Sequence, residues 1–140
     1  MRGFSLIELL VALCIAGILM ALVLPGYASY MQRTHRFKAQ AALMRAAQWM
    51  ERAATVNGKY PPADDFPKSL LQLSGDRYTL RIVSPDPSQN RSSSYRLFAD
   101  RIAHGGQADD PCGDLSLDQS GHRGVSGASA NYTAASCWAH

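Results

Sequence analysis

Glu8 is the one charged side chain in the run GFSLIELLVALCIAGILMALVLP, residues 3–25. A carboxylate at the centre of a bilayer costs about 2.5–3.5 kcal/mol on insertion scales. Such a residue calls for a positive partner, because a buried acid without one is expensive or protonated. The other side chains that could do chemistry are spaced poorly for it. His35, His104, His122 and His140 lack a ligand pattern such as His-x-x-x-His, and no cysteine pair has Cys-x-x-Cys spacing. Asp109, Asp110, Asp114 and Asp118 offer oxygens without the calcium-loop pattern of an EF-hand, and solvated loop charge accounts for them more simply. Ser126 lies in Gly-Val-Ser-Gly, which lacks the glycine spacing of a nucleophile elbow. No glycine loop for phosphate is present. The chain is therefore expected to be neither an enzyme nor a cofactor or metal protein.

Cysteine usage divides by position. Cys14 falls in the apolar run as a small hydrophobe. Cys112 and Cys137 share the polar C-terminal third and are expected to form one disulfide in a non-cytosolic compartment; two free thiols are the alternative. Closing a loop of about 25 residues stabilises a fold by about 3–4 kcal/mol in the chain-entropy model.

The chain has 140 residues, enough for one compact domain once the apolar segment is set aside. Lys and Arg number 14 against 11 Asp and Glu, a net charge of +3. This mild, scattered, arginine-rich charge does not indicate a dedicated nucleic-acid domain.

Three readings of the N-terminal segment compete. A secretory signal peptide needs a basic start, a shorter apolar centre and a small-residue cleavage site; here Glu8 interrupts the start and no Ala-x-Ala follows. A plain anchor explains a run long enough for a bilayer core of about 30 Å, but not the acid. In the third reading Met1–Gly3 is a leader removed after Gly3, which leaves Phe4 as a cationic N-terminus four residues before Glu8.

The string Gly3-Phe4-Ser5-Leu6-Ile7-Glu8-Leu9-Leu10 resembles the cleavage and methylation site of type IV prepilins, and Pro25, Tyr27 and Tyr30 fall where that family carries them. The resemblance implies that a membrane-embedded prepilin peptidase cuts between Gly3 and Phe4 and methylates the Phe4 amine, which keeps its charge. It also implies that Glu8 of one subunit neutralises the Phe4 amine of its neighbour as subunits leave the bilayer. A positive-inside count over Arg2, Arg33, Arg36 and Lys38 points the C-terminus to the cytoplasm; the motif and the expected disulfide argue for the periplasm. Pro25-Gly26 is either the end of a membrane helix or, as in pilins, a kink.

Downstream, residues 27–56 contain neither proline nor glycine beyond position 26, and Ala39, Leu43, Ala46, Ala47, Met50 and Ala54 make one apolar stripe with Gln40, Arg45, Gln48 and Arg52 off it. The spacing predicts one helix from Phe4 to about Val56, with Trp49 and Met50 in the core. Asn57-Gly58 offers a left-handed cap and Tyr60-Pro61-Pro62 cannot resume the helix. A short turn is expected at Ser69–Leu73. Strands are expected at Arg77–Val83, at Ser94–Ala99 after a turn over residues 85–90, at Asp114–Asp118 and near His122-Arg123. This is an α+β plan: a long helix packed on an antiparallel sheet of about four strands. The tail from Gly124 to Ala135 has little to bury.

Asn57–Pro61 is similar to the pilin segment that joins helix to sheet. The pattern Cys112-Gly113-Asp114-Leu115-Ser116-Leu117 with Gln119, Gly121, Arg123-Gly124 and Cys137-Trp138 looks like the C-terminal region of PilE-type minor pilins. The resemblance implies a type IV pilin fold with a disulfide-closed C-terminal loop. It divides the chain into a leader at 1–3, a transmembrane and filament-core half-helix at 4–26, and a globular domain at 27–140. It further implies a single-pass inner-membrane protein with a periplasmic C-terminus that later joins an extracellular pilus. Its partners would be other pilin subunits, the prepilin peptidase and the pilus assembly machinery. Its roles would be pilus initiation, adhesion, twitching motility or DNA uptake. Alternatives are a type II secretion pseudopilin, which commonly lacks the disulfide loop, or a DNA receptor using Arg81, Arg91, Arg96 and Arg123. An ordinary strand surface accounts for those arginines more simply.

Overall fold

Strong helix formers without an interior breaker after Gly26 build a single long helix, α1, from Leu6 to Asn57. Its 52 residues extend about 78 Å. The computed structural model describes residues 5–73, 75, 77–86 and 94–139. Positions 25 and 26 lie within α1, where the Ser29 hydroxyl donates to the Gly26 carbonyl at 3.0 Å. The helix stops where expected: Gly58 adopts φ 72° and its N–H donates to Ala54 O at 2.8 Å. That left-handed conformation is cheap for glycine alone.

The second half of α1 buries Ala39, Ala42, Leu43, Ala46 and Met50. Three alanines on that face let the sheet approach the helix closely. Four strands follow: β1 (Tyr78–Val83), β2 (Arg96–Arg101), β3 (Asp114–Asp118) and β4 (Arg123–Ser126). They pair antiparallel in the order β1-β2-β3-β4. The register aligns Leu80, Ala99, Leu115 and Val125 in one row, and Ile82, Leu97 and Leu117 in the next. Because side chains alternate across a strand, these rows share the face that α1 covers. This is the expected α+β plan.

The structure corrects the expected boundaries and two burial assignments. Strand β2 begins at Arg96 and reaches Arg101, so Ser94 and Tyr95 are buried ahead of it. The predicted turn at Ser69–Leu73 is a 3-10 turn over Lys68–Leu71, and residues 87–90 of the other turn lie outside the described residues. Met50 is in the core, whereas Trp49 is half-buried and meets Phe66 edge-on, with ring centroids 5.0 Å apart. Gln40 is buried rather than off the stripe, because its amide donates to Cys137 O at 2.8 Å.

As its composition suggests, no residue from Gly124 to Ala135 is buried. The segment forms most of β4 and the start of a short helix, α2 (Ala134–Trp138), whose Cys137 and Trp138, just beyond it, are buried. The Trp138 indole N–H donates to Gly124 O at 3.2 Å. Cys112 and Cys137 form the expected disulfide, with Cα atoms 5.6 Å apart. Beside it Gly113 is at φ 71°, and a Cβ there would stand 2.1 Å from Ser126 O. The approach of β3 to the end of β4 therefore requires glycine.

Paired substitution of Cys112→Ser and Cys137→Ser is expected to lower unfolding stability by about 3–4 kcal/mol. Denaturant titration should show that loss, and reductant should reproduce it in the parent chain while leaving the variant unmoved.

Candidate functional site

Two regions of α1 carry the unusual chemistry: the N-terminal turn with its acid, and the stretch from Gln32 to Gln40 that meets the C-terminal lobe. At the first, a Glu8 carboxylate oxygen accepts the Ser5 backbone N–H at 2.9 Å. The acid thus satisfies a free donor at its own helix N-terminus, where the dipole favours negative charge. The expected cleavage pair Gly3–Phe4 lies outside the described residues, as does Arg91. Around Glu8 the helix is apolar on every side. Leu6, Ile7, Leu13, Ile18 and Met20 are each more than 60% exposed in the lone subunit, and the richest 18-residue window has mean hydropathy 2.8. By length and composition this helix can cross a membrane. Cys14 is an exposed free thiol on that half.

The second region is a buried polar cluster that sequence reasoning missed. Arg36 forms a two-pronged ion pair with Asp110, and both residues are buried. The same carboxylate accepts the Tyr78 hydroxyl at 2.9 Å, the Cys112 N–H at 3.0 Å and the Gln107 amide. Gln107 also donates to Gln32 O at 3.1 Å, which closes the cluster onto α1. Arg101 donates to Asp110 O at 2.9 Å and to Asp114 Oδ1 at 3.2 Å, fixing the approach to the disulfide. A sequence signal existed: Arg36, Leu43 and Met50 are seven apart, so Arg36 continues the buried stripe and needs a buried acid.

Burial by itself would raise the Asp110 carboxyl. Hydrogen bonds from Arg36, Cys112 N–H and Tyr78, with the Arg36 charge, outweigh it and hold the group below its ordinary 3.8. Burial and the adjacent Asp110 push the Tyr78 hydroxyl well up. A second acid, Glu51, accepts the hydroxyls of Tyr60 and Tyr95, each at 3.0 Å. Burial first and Glu51 second raise the Tyr95 hydroxyl. These tyrosines are neutral donors that anchor the end of α1 to the loop and sheet.

The arginines proposed for DNA are differently occupied. Arg81 pairs with Asp100 at 2.9 Å and lies over the Phe98 ring at 4.1 Å. Arg96 is half-buried and pairs with Asp86 at 3.1 Å. Arg123 lies 5.3 Å from the Trp138 ring centre. By contrast Lys38, Arg45 and Arg52, seven apart on α1, are exposed and form no ion pair among the described residues. At 3.6 residues per turn they share one face. Among the described residues no group of three His, Cys, Asp or Glu side chains could hold a metal.

A family model described as "Type IV minor pilin ComP, DNA uptake sequence receptor" matches residues 25–116, and one for the prokaryotic N-terminal methylation motif matches residues 1–24. The chain belongs to the ComP family of type IV minor pilins. This minor pilin is 32% identical over 104 residues to a type IV major alpha-pilin of Moraxella bovis, covering 73% of its own length and 64% of that protein. It is 27% identical over 94 residues to a type II secretion system core protein G of Pectobacterium carotovorum subsp. carotovorum, covering 67% and 56%. The chain thus spans under two thirds of the length of these relatives. In fold it is similar to the non-core minor pilin PilV of Neisseria meningitidis, with a TM-score of 0.50, 24% identity, and coverage of 71% of this chain and 90% of that one.

Arg36→Met, which leaves the Asp110 carboxylate buried without its cation, is expected to cost about 3–5 kcal/mol. The pH profile supplies a second readout. A depressed folded pKa gives stability that is present above the unfolded value and lost as pH falls through the folded one. The parent minor pilin should therefore weaken below about pH 4, and denaturation of Arg36→Met should lack that part of the acid limb.

Proposed function

We propose that this minor pilin is a filament subunit. It is anchored in the inner membrane by the first half of α1, cleaved after Gly3, methylated on Phe4, and then extracted into an extracellular type IV pilus. The observation that carries this reading is an apolar half-helix, exposed on all sides, joined without a break to a disulfide-closed domain. Such a helix needs lipid or other helices around it, and a filament core offers the second. In this scheme residues 4–26 form the membrane and core segment, and 27–140 the periplasmic and later extracellular domain. Pro25 and Gly26 supply a weak point where the helix can bend or open during extraction. Its partners are the prepilin peptidase, the assembly machinery and neighbouring pilins, whose Phe4 amine is the cation for Glu8. Its contribution is to pilus initiation or assembly, with adhesion, twitching motility or uptake as the consequence.

The test separates processing from assembly. Gly3→Val should leave the chain uncleaved and confined to the inner membrane, seen as slower migration and absence from sheared pili. Glu8→Val should be cleaved normally yet fall at least several-fold in sheared pili. Normal incorporation of either variant would remove that residue from the scheme.

A DNA-receptor role is the second reading, favoured by the description of the matching family and by the cationic face of α1. Pairing of Arg81 and Arg96 with aspartates argues against the sheet as the binding surface. If DNA binds, Arg45→Gln with Arg52→Gln should weaken a salt-sensitive gel shift of the detergent-solubilised chain and lower its salt slope by about two. Arg81→Gln should change it little. No shift at low salt would leave the structural reading alone. The similarity to a secretion-system core protein raises a pseudopilin role; the disulfide-closed lobe favours the pilus.

A further inference from the structure

A cavity of about 240 Å³ lies between the turn of α1 that follows the apolar half and the disulfide-closed lobe. Ser29, Gln32, Arg33 and Arg36 line it from α1, and Pro111 and Tyr132 from the lobe. Arg36 is neutralised by Asp110. Arg33 is exposed and forms no ion pair among the described residues, so it leaves the cavity with an uncompensated positive charge.

The cavity's depth is set by the helix. If the apolar run fills the hydrocarbon, Ser29 stands about 6 Å and Arg33 about 12 Å beyond Pro25. Helical side chains lean toward the N-terminus, here toward the bilayer, and arginine reaches further that way by snorkelling. An independent observation marks the same level. Among the described residues the exposed aromatics are Tyr27, Tyr30, Phe37 and Tyr132, all at this end of the domain, and the last two line the cavity. Aromatic residues in such a band suit the headgroup layer of a membrane.

We propose that, before assembly, this cavity holds the phosphate headgroup of an anionic glycerophospholipid. Arg33 supplies the charge in the fork geometry that phosphate oxygens accept, and the Tyr132 hydroxyl donates beside it. The proposal rests on the membrane-anchored state of the pilin. A bound headgroup would seat the globular domain on the bilayer, and extraction into a filament would require its release.

The full chain in lipid nanodiscs tests this, with co-retained lipid counted by native mass spectrometry after extraction. Discs of phosphatidylcholine mixed with phosphatidylglycerol should return the anionic lipid in preference. Arg33→Gln should lower that retention roughly fivefold, the factor that one cation near an anionic surface is worth. Lys38→Gln removes the same charge about 140° round the helix and should leave retention unchanged. Equal retention of both lipids, or equal loss in both variants, overturns the proposal. Displacement of the lipid by inorganic phosphate reassigns the cavity to a soluble anion and overturns it too. Failure of the chain to resist alkaline carbonate extraction sinks the anchored reading and this one together, whereas insertion without lipid preference sinks this one alone.

Discussion

The exposed apolar half of α1 is the constraint on which the rest of this molecule depends. Ten large side chains between Leu6 and Met20 stand half or more exposed. Keeping one such side chain in water forgoes about 1.5–3 kcal/mol, and a folded domain has about 5–15 kcal/mol in all. Ten of them exceed what the globular half could offset. The half-helix must be solvated by lipid or by other helices, and every other feature can be referred to that requirement. Glu8 is partly accommodated on it by one backbone donor of its own first turn. The globular domain is compact because its half of the same helix needs only one buried stripe.

How firmly the two halves act as one rod depends on the domain's grip on α1. Alanines 39, 42 and 46 bring the sheet close, but small side chains contribute little burial each, so the grip is completed by polar contacts. Arg36 and Asp110 join the helix to the lobe before the disulfide. Gln40 joins it to the disulfide itself through Cys137 O. Glu51 joins it to the loop and sheet through two tyrosine hydroxyls. These attachments occur at successive levels of the helix. A load applied along α1 is therefore spread over the domain instead of being concentrated at one end.

Most of the architecture was legible in the sequence, because it is written in patterns of period and punctuation. The apolar run, the Asn57-Gly58 stop, and the alternation in Tyr78, Leu80 and Ile82 each follow from a local rule. The buried cluster was not, since Asp110 acquires its partners from three separate elements and its neighbour Asp109 looks the same in the chain. Only Arg36, seven before Leu43, hinted at it. The tail follows its composition: small and polar residues dominate Gly124–Ala135 and none of them is buried, while Cys137 and Trp138 just beyond it anchor the segment. Charge balance is decided by pairing in space, which the sequence does not display. Basic residues scattered in sequence are paired on the sheet, where aspartates face Arg81 and Arg96, and at Arg36. Lys38, Arg45 and Arg52, in a line along α1, form no ion pair among the described residues.

Glu8 connects these observations. Its carboxylate accepts one hydrogen bond from the Ser5 N–H in the isolated subunit, and a carboxylate has room for several. In the proposed filament a neighbour's methylated amine would add a charge-assisted bond without requiring the internal one to break. The acid is then never stripped of a partner as surroundings change from lipid to protein. Assembly need not overcome the cost of burying a bare charge, and a neighbour lacking the cationic N-terminus would gain nothing from docking there. In that scheme the acid that is a liability for membrane insertion would become a means of selecting processed subunits.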